Sequence, residues 1–137
     1  MTREAAVEEL QRRADAIEGG YELMLAYAAQ GLVSDQGAAN SSQLRDHLQR
    51  FDSALTGLAQ VYRDAAAALG IWPKESLEGL LRQLDADATF TQSALRMALA
   101  HPGGISSQLV DNINASIHVR ALLTDVFVID ELLRGKS

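Results

Sequence analysis

From Leu44 to Leu69 the apolar residues recur at alternating steps of four and three without a miss: Leu44, Leu48, Phe51, Leu55, Leu58, Tyr62, Ala65 and Leu69. On a helix that spacing draws one continuous stripe, the pattern of a helix lying nearly parallel or antiparallel to its neighbours. The same steps mark the segment before it, through Val7, Leu10, Ala14, Ile17, Tyr21, Met24 and Ala28, and the one after it, through Leu77, Leu81, Leu84, Ala88, Thr91, Leu95 and Ala98. A fourth apolar segment opens at Ser106-Ser107 and runs to Arg134. The chain is therefore expected to be all-α, with four long helices over about 2–30, 41–69, 74–100 and 106–134 in one domain spanning 1–137.

The boundaries carry their own signals. Thr2 is placed to cap the first helix, with Glu4, Glu8 and Glu9 near the positive end of its dipole. Asn40 and Gln43 have the spacing of a capping box, and Gly70 suits the residue after a helix end. Pro73 suits the first turn of the third helix, which His101-Pro102-Gly103-Gly104 ends, and Gly135 closes the fourth. Asp and Thr weaken the helix between Asp85 and Thr91. The expected helices are roughly 40–45 Å long at the helical rise, and short connections between such helices predict an antiparallel up-down-up-down four-helix bundle. The connection from Gly31 to Asn40 is longer than the usual ~2–8 residues, and its order is left open by its Gly, Ser, Asp and Asn content. Ser41-Ser42-Gln43-Leu44-Arg45-Asp46 recurs as Ser106-Ser107-Gln108-Leu109-Val110-Asp111, which fits either a duplicated helical hairpin or two independently good helix starts. Whether the bundle closes within one chain or by exchange of hairpins between two is equally open.

Composition narrows the function classes. Cysteine is absent, which removes disulfide frameworks, thiolate metal sites and cysteine nucleophiles. Charged residues interrupt every apolar run well before the ~20 residues of a membrane span, and the segment opening Met1-Thr2-Arg3-Glu4 does not read as a signal peptide. A cytoplasmic location is the expectation. A formal charge of −6, with only Arg12 and Arg13 adjacent among twelve basic residues, opposes binding to nucleic acid or to anionic membrane.

Candidate chemistry is sparse. A di-iron bundle needs Glu-x-x-His on two helices to supply bridging carboxylates with imidazole; His47 is preceded at that offset by Leu44 and His118 by Ala115. Asp111, Asn114 and His118 share a face by spacing, and His47 stands near the start of the second helix. With Tyr21 they form a candidate polar core layer or ligand site, expected to carry no metal and no cofactor. Neither histidine is followed by the lysine and glycine of a phosphotransfer domain, no Gly-x-Ser-x-Gly elbow is present, and His101-Pro102-Gly103-Gly104 lacks the lysine of a phosphate loop. Gly19-Gly20, inside the first helix, costs about 1 kcal/mol per residue relative to alanine, which points either to close approach of a partner or ligand beside Tyr21 or to a kink.

The fourth segment carries more apolar surface than one core stripe uses. Between Ala121 and Leu133 only Thr124, Asp125, Asp130 and Glu131 are polar. An uncovered surplus of this kind is an aggregation liability unless a partner covers it. Leu122, Val126, Ile129 and Leu133, with Trp72 in the tight turn as an anchor, are therefore the expected interface of a homodimer. The reading that follows is a non-enzymatic interaction protein, an adaptor, assembly factor or accessory subunit with a protein partner. The alternative is a bundle that binds or senses a small molecule between Tyr21, Met24, Tyr27, Phe90 and Met97; a metal-dependent enzyme using His47, Asp111 and His118 stands behind both.

Overall fold

A computed structural model describes residues 2–70 and 73–134. Every regular element among them is a helix: α1 (Arg3–Ala28), α2 (Ser41–Leu55), α3 (Leu58–Leu69), α4 (Lys74–Ala100), α5 (Ser107–Ala115) and α6 (Ile117–Arg134). None is long and apolar enough to cross a membrane. The first and third expected helices are present nearly as read. The second and fourth are each divided, so the described residues form six helices and not four.

The first division falls at Thr56-Gly57. Thr56 is extended and Gly57 is left-handed at φ +67°, a conformation that glycine adopts without steric cost. The step from Leu55 to Leu58 is still three residues, so the apolar periodicity runs across the break unchanged. Tertiary contacts support the opened turn. The Arg13 guanidinium on α1 donates to the carbonyls of Ala54 (3.0 Å) and Thr56 (2.6 Å), while the Gln92 amide on α4 donates to the Asp52 carbonyl (3.0 Å) and the Thr56 hydroxyl (2.9 Å). These donors serve carbonyls that the end of α2 leaves without helical partners. The second division is at Ser116, extended at ψ 135°, whose hydroxyl accepts from the His118 backbone N–H. Asp111, Asn112 and Asn114 precede it, and such side chains favour caps and turns over helix interiors.

Thr2 caps α1 by accepting from the Ala5 N–H at 3.0 Å, and Ser106 caps α5 by accepting from Leu109 at 3.0 Å. The capping box at Asn40 does not form: its side-chain amide donates to Gln30 instead. Gly135 and the Trp72 turn lie outside the described residues.

The two unbroken helices, α1 and α4, each pack on α2, α3, α5 and α6. The core between them takes Leu10, Ile17, Met24 and Tyr27 from α1, Leu44, Leu48 and Phe51 from α2, and Leu81, Leu84 and Leu95 from α4. Gly20 is part of this packing. A Cβ there would stand 2.6 Å from Phe51 Cδ2 and 2.9 Å from its Cβ, whereas one at Gly19 would meet nothing within 4 Å. The second member of the glycine pair seats an α2 aromatic against the α1 backbone. Gly20→Ala is expected to destabilise by about 1–3 kcal/mol through overpacking, and Gly19→Ala to stabilise by about 0.5–1 kcal/mol through helix propensity. Urea denaturation of the two variants side by side checks this; equal effects of one sign would refute it.

The connection from Gly31 to Asn40 is held by the 101–106 turn. Asp35, fully buried at its centre, accepts from Arg45 Nε (2.7 Å) and Nη2 (3.1 Å), Ser41 Oγ (2.6 Å) and the Ile105 N–H (2.7 Å). Around it, Ser34 donates to the Gly103 carbonyl, Leu32 and Ser107 bond each other, and Tyr27 donates to the Ile105 carbonyl. Gly104 is left-handed at φ +84°, and a Cβ on it would drive into the Ser34 hydroxyl and to 2.9 Å from Asp35 Oδ1. A loop of polar turn formers is thereby pinned by one charged residue.

Candidate functional site

The four α6 residues read as an intermolecular face are inside the molecule. Leu122, Val126, Ile129 and Leu133 are at most 8% exposed, covered by the chain's own helices, since α6 packs on α4, α1, α5 and α3. They form the inner stripe of α6 together with Val119. Trp72, the fifth member of that set, lies outside the described residues.

The proposed polar layer is also dispersed. Asp111 and Asn114 are on α5 and His118 is on α6, so the break at Ser116 interrupts the face they were read as sharing. Asp111 is exposed beside Ala28 and Leu32. Asn114 is buried; its amide reaches the Tyr21 carbonyl at 3.5 Å, and its Oδ1 has no partner. The Tyr21 side chain is half-buried on α1, and His47 bonds within its own helix, Nδ1 lying 2.9 Å from the Gln43 carbonyl. The aromatic and methionine set does not line one cavity either: Met24 and Tyr27 are core, while Phe90 and Met97 are exposed.

What the fold does bring together is a group on the seam between α4 and α6. Asp87, buried on α4, accepts at Oδ2 from Gln83 Nε2 (3.1 Å), and its Oδ1 stands 3.8 Å from His118 Nδ1. The imidazole lies against Phe90 with ring centroids 4.2 Å apart and planes at 33°. Asp125 projects from α6 toward the same carboxyl, and its Oδ2 is buried with no hydrogen-bond partner. Two ionised carboxylates facing each other have only acceptors to offer. Burial, then the hydrogen bond and charge of Asp87, push the Asp125 carboxyl up to about 7. In its protonated form Asp125 has an O–H to donate to the Asp87 carboxylate, which gives the otherwise orphaned oxygen a partner. The pair does not extend to a cation site: among the described residues no three His, Asp or Glu side chains converge as a metal-binding set. The sequence signal was present but weak. Asp87 occupies a helical step between Leu84 and Thr91, on the buried side of α4.

Beside the acid pair, α6 turns a second stripe outward. Ile117, Arg120, Thr124, Phe127 and Glu131 follow three-four steps and are all exposed, with Val128 and Leu132 alongside. Exposure reaches 76% at Ile117, 52% at Phe127, 45% at Val128 and 53% at Leu132. Where α6 meets the start of α4, Pro73, Leu77, Leu80, Ile129, Leu132 and Leu133 enclose an apolar groove of about 210 Å³. That is below the ~300–1,000 Å³ of pockets that engulf a small molecule, and it suits a single inserted side chain better. The chain matches no family model, no curated protein and no solved structure.

Proposed function

We propose that this chain is a non-enzymatic interaction protein, an adaptor, assembly factor or accessory subunit, that self-associates through the outer face of α6. In this reading α2 with α3, and α5 with α6, are the two kinked members of an antiparallel up-down-up-down four-helix bundle. The observation that carries the proposal is that α6 keeps a ring of large apolar side chains outside after its inner stripe is already buried. Phe127, Val128 and Leu132 leave about half of their surface in water, which costs solubility. A partner surface that covers them recovers roughly 25 cal/mol for each Å² of apolar area removed from water. The absence of cysteine and the charge of −6 fit a cytoplasmic partner-binding role away from nucleic acid and membrane.

Phe127→Glu is the direct test. Truncating or charging a central aromatic anchor costs about 2 kcal/mol or more, so sedimentation equilibrium is expected to show dimerisation weakened by at least about thirtyfold with the helical circular dichroism unchanged. Leu122→Glu, on the inner stripe, is expected to unfold the chain instead. A Phe127→Glu protein that self-associates like the wild type would refute the assignment.

A further inference from the structure

The outer stripe of α6 is complementary in charge to itself when reversed. Arg120 and Glu131 stand near its two ends, on the same side of the helix, eleven residues and so about three turns apart. Neither has an ion-pair partner among the described residues, as is also true of Arg3, Lys74 and Arg82. We infer that the partner seated on this stripe is α6 of a second copy of the chain, running antiparallel about a twofold axis level with Asp125 and Val126. The inference rests on the self-association proposed above.

That register sets Arg120 of each copy opposite Glu131 of the other, and Thr124 opposite Phe127, so that one interface makes every contact twice, as a twofold requires. It also fills the groove. The axis brings Ile117 of the second copy level with Arg134, at the end where Leu77, Leu80 and Leu132 enclose the apolar cavity. The side of the helix agrees as well. At about 100° per residue, Ile117, Val128 and Leu132 lie on the flank of α6 that faces α4, the flank that Asp125 and His118 also occupy. A twofold perpendicular to the helices keeps that flank on the same side in both copies, so the most exposed large apolar side chain of α6 arrives at the groove. A second α6 alone covers less than the ~1,200 Å² of a stable interface; the α4 residues Leu80 and Pro73 enlarge it. A parallel pairing would place Arg120 against Arg120 and Glu131 against Glu131, which the charges oppose.

The test is a charge-reversal set read by sedimentation velocity across concentration, with circular dichroism confirming that these exposed substitutions leave the helices intact. Arg120→Glu and Glu131→Arg, each alone, place like charges at both ends of the interface and are expected to weaken dimerisation about tenfold or more. An equimolar mixture of the two single variants restores both oppositely charged contacts and is expected to form a heterodimer, and Arg120→Glu/Glu131→Arg in one chain is expected to recover the homodimer. Single variants that dimerise like the wild type, or a mixture that gains nothing, would overturn the antiparallel register while leaving self-association standing. A wild-type chain that stays monomeric at all concentrations would overturn both.

Discussion

Asp35→Ala is expected to cost about 3–5 kcal/mol. The carboxylate is fully buried and all its near partners depend on it: two guanidinium N–H groups of Arg45, the Ser41 hydroxyl and the Ile105 N–H. Removing it leaves the half-buried Arg45 cation with only the Leu99 carbonyl as acceptor (3.1 Å) and the Ser41 and Ile105 donors with none, a larger penalty than losing a surface ion pair of about 0–1 kcal/mol. A domain of this size has about 5–15 kcal/mol of stability in total, so the substitution takes a large share of it. Asp35→Asn keeps the shape and an acceptor for Ser41 or Ile105 but sets an amide against the guanidinium, and is expected to fall between the variant and the wild type. The hydrogen bond from Arg45 holds the Asp35 carboxyl well below the usual carboxylate range. A depressed folded-state value means that this stabilisation is present above the unfolded value of 3.8 and is lost as pH falls below it. Urea denaturation at pH 7 measures the first claim; a loss under about 1 kcal/mol would show that the 31–40 connection is held by something else.

Asp125→Asn is expected to stabilise the chain at pH 8 and to leave it little changed at pH 4. The direction follows from the proton. The Asp125 carboxyl lies at about 7 in the fold against 3.8 unfolded, so between those values the folded chain binds more protons than the unfolded one. Wild-type stability therefore declines as pH rises from about 4 to about 7 and levels off beyond, the reverse of the Asp35 contribution. At 1.4 kcal/mol per unit the shift sets a ceiling of about 4 kcal/mol, and partial exposure of Asp125 to solvent brings the expected gain to about 1–3 kcal/mol. In the variant an amide N–H can donate to Asp87 without a shared proton, so the added slope disappears. The check is the difference in unfolding midpoint between wild type and variant at pH 4, 6 and 8; a difference that does not grow with pH would mean the two carboxyls do not share a proton.

The two acid sites show why some of the molecule was legible and some was not. Along the second segment seven of the eight periodic residues, Leu44 through Ala65, are buried as the spacing requires, because a stripe on a helix has to be covered by something. The same periodicity concealed the turn at Thr56-Gly57, since a break that preserves a three-residue step leaves the apolar pattern intact. On the fourth segment the residues read as an intermolecular face are covered by the chain's own helices. Leu122, Val126, Ile129 and Leu133 continue the inner stripe, and the residues left to solvent are Ile117, Phe127, Val128 and Leu132. Spacing gives the angle between two stripes on one helix but not which of them faces the core. Likewise, spacing placed His118 with Asp111 and Asn114, whereas the fold pairs it with Asp87 and Phe90 on a different helix.

By itself, the sequence determined that this chain is helical, where most of its helices begin and which residues form the continuous apolar stripes, because propensity, caps and periodicity are local properties carried by neighbouring residues. Only the tertiary structure decided that the second and fourth segments are each divided, that a buried aspartate ties the 31–40 connection to the 101–106 turn, and that Asp87 meets Asp125. The open turn at Thr56 and both aspartate contacts depend on groups far apart in the chain coming within hydrogen-bond or van der Waals reach, and no local pattern encodes that meeting. Arg13 and Gln92 support the open turn at Thr56, and Ile105 completes the shell of Asp35 from seventy residues away.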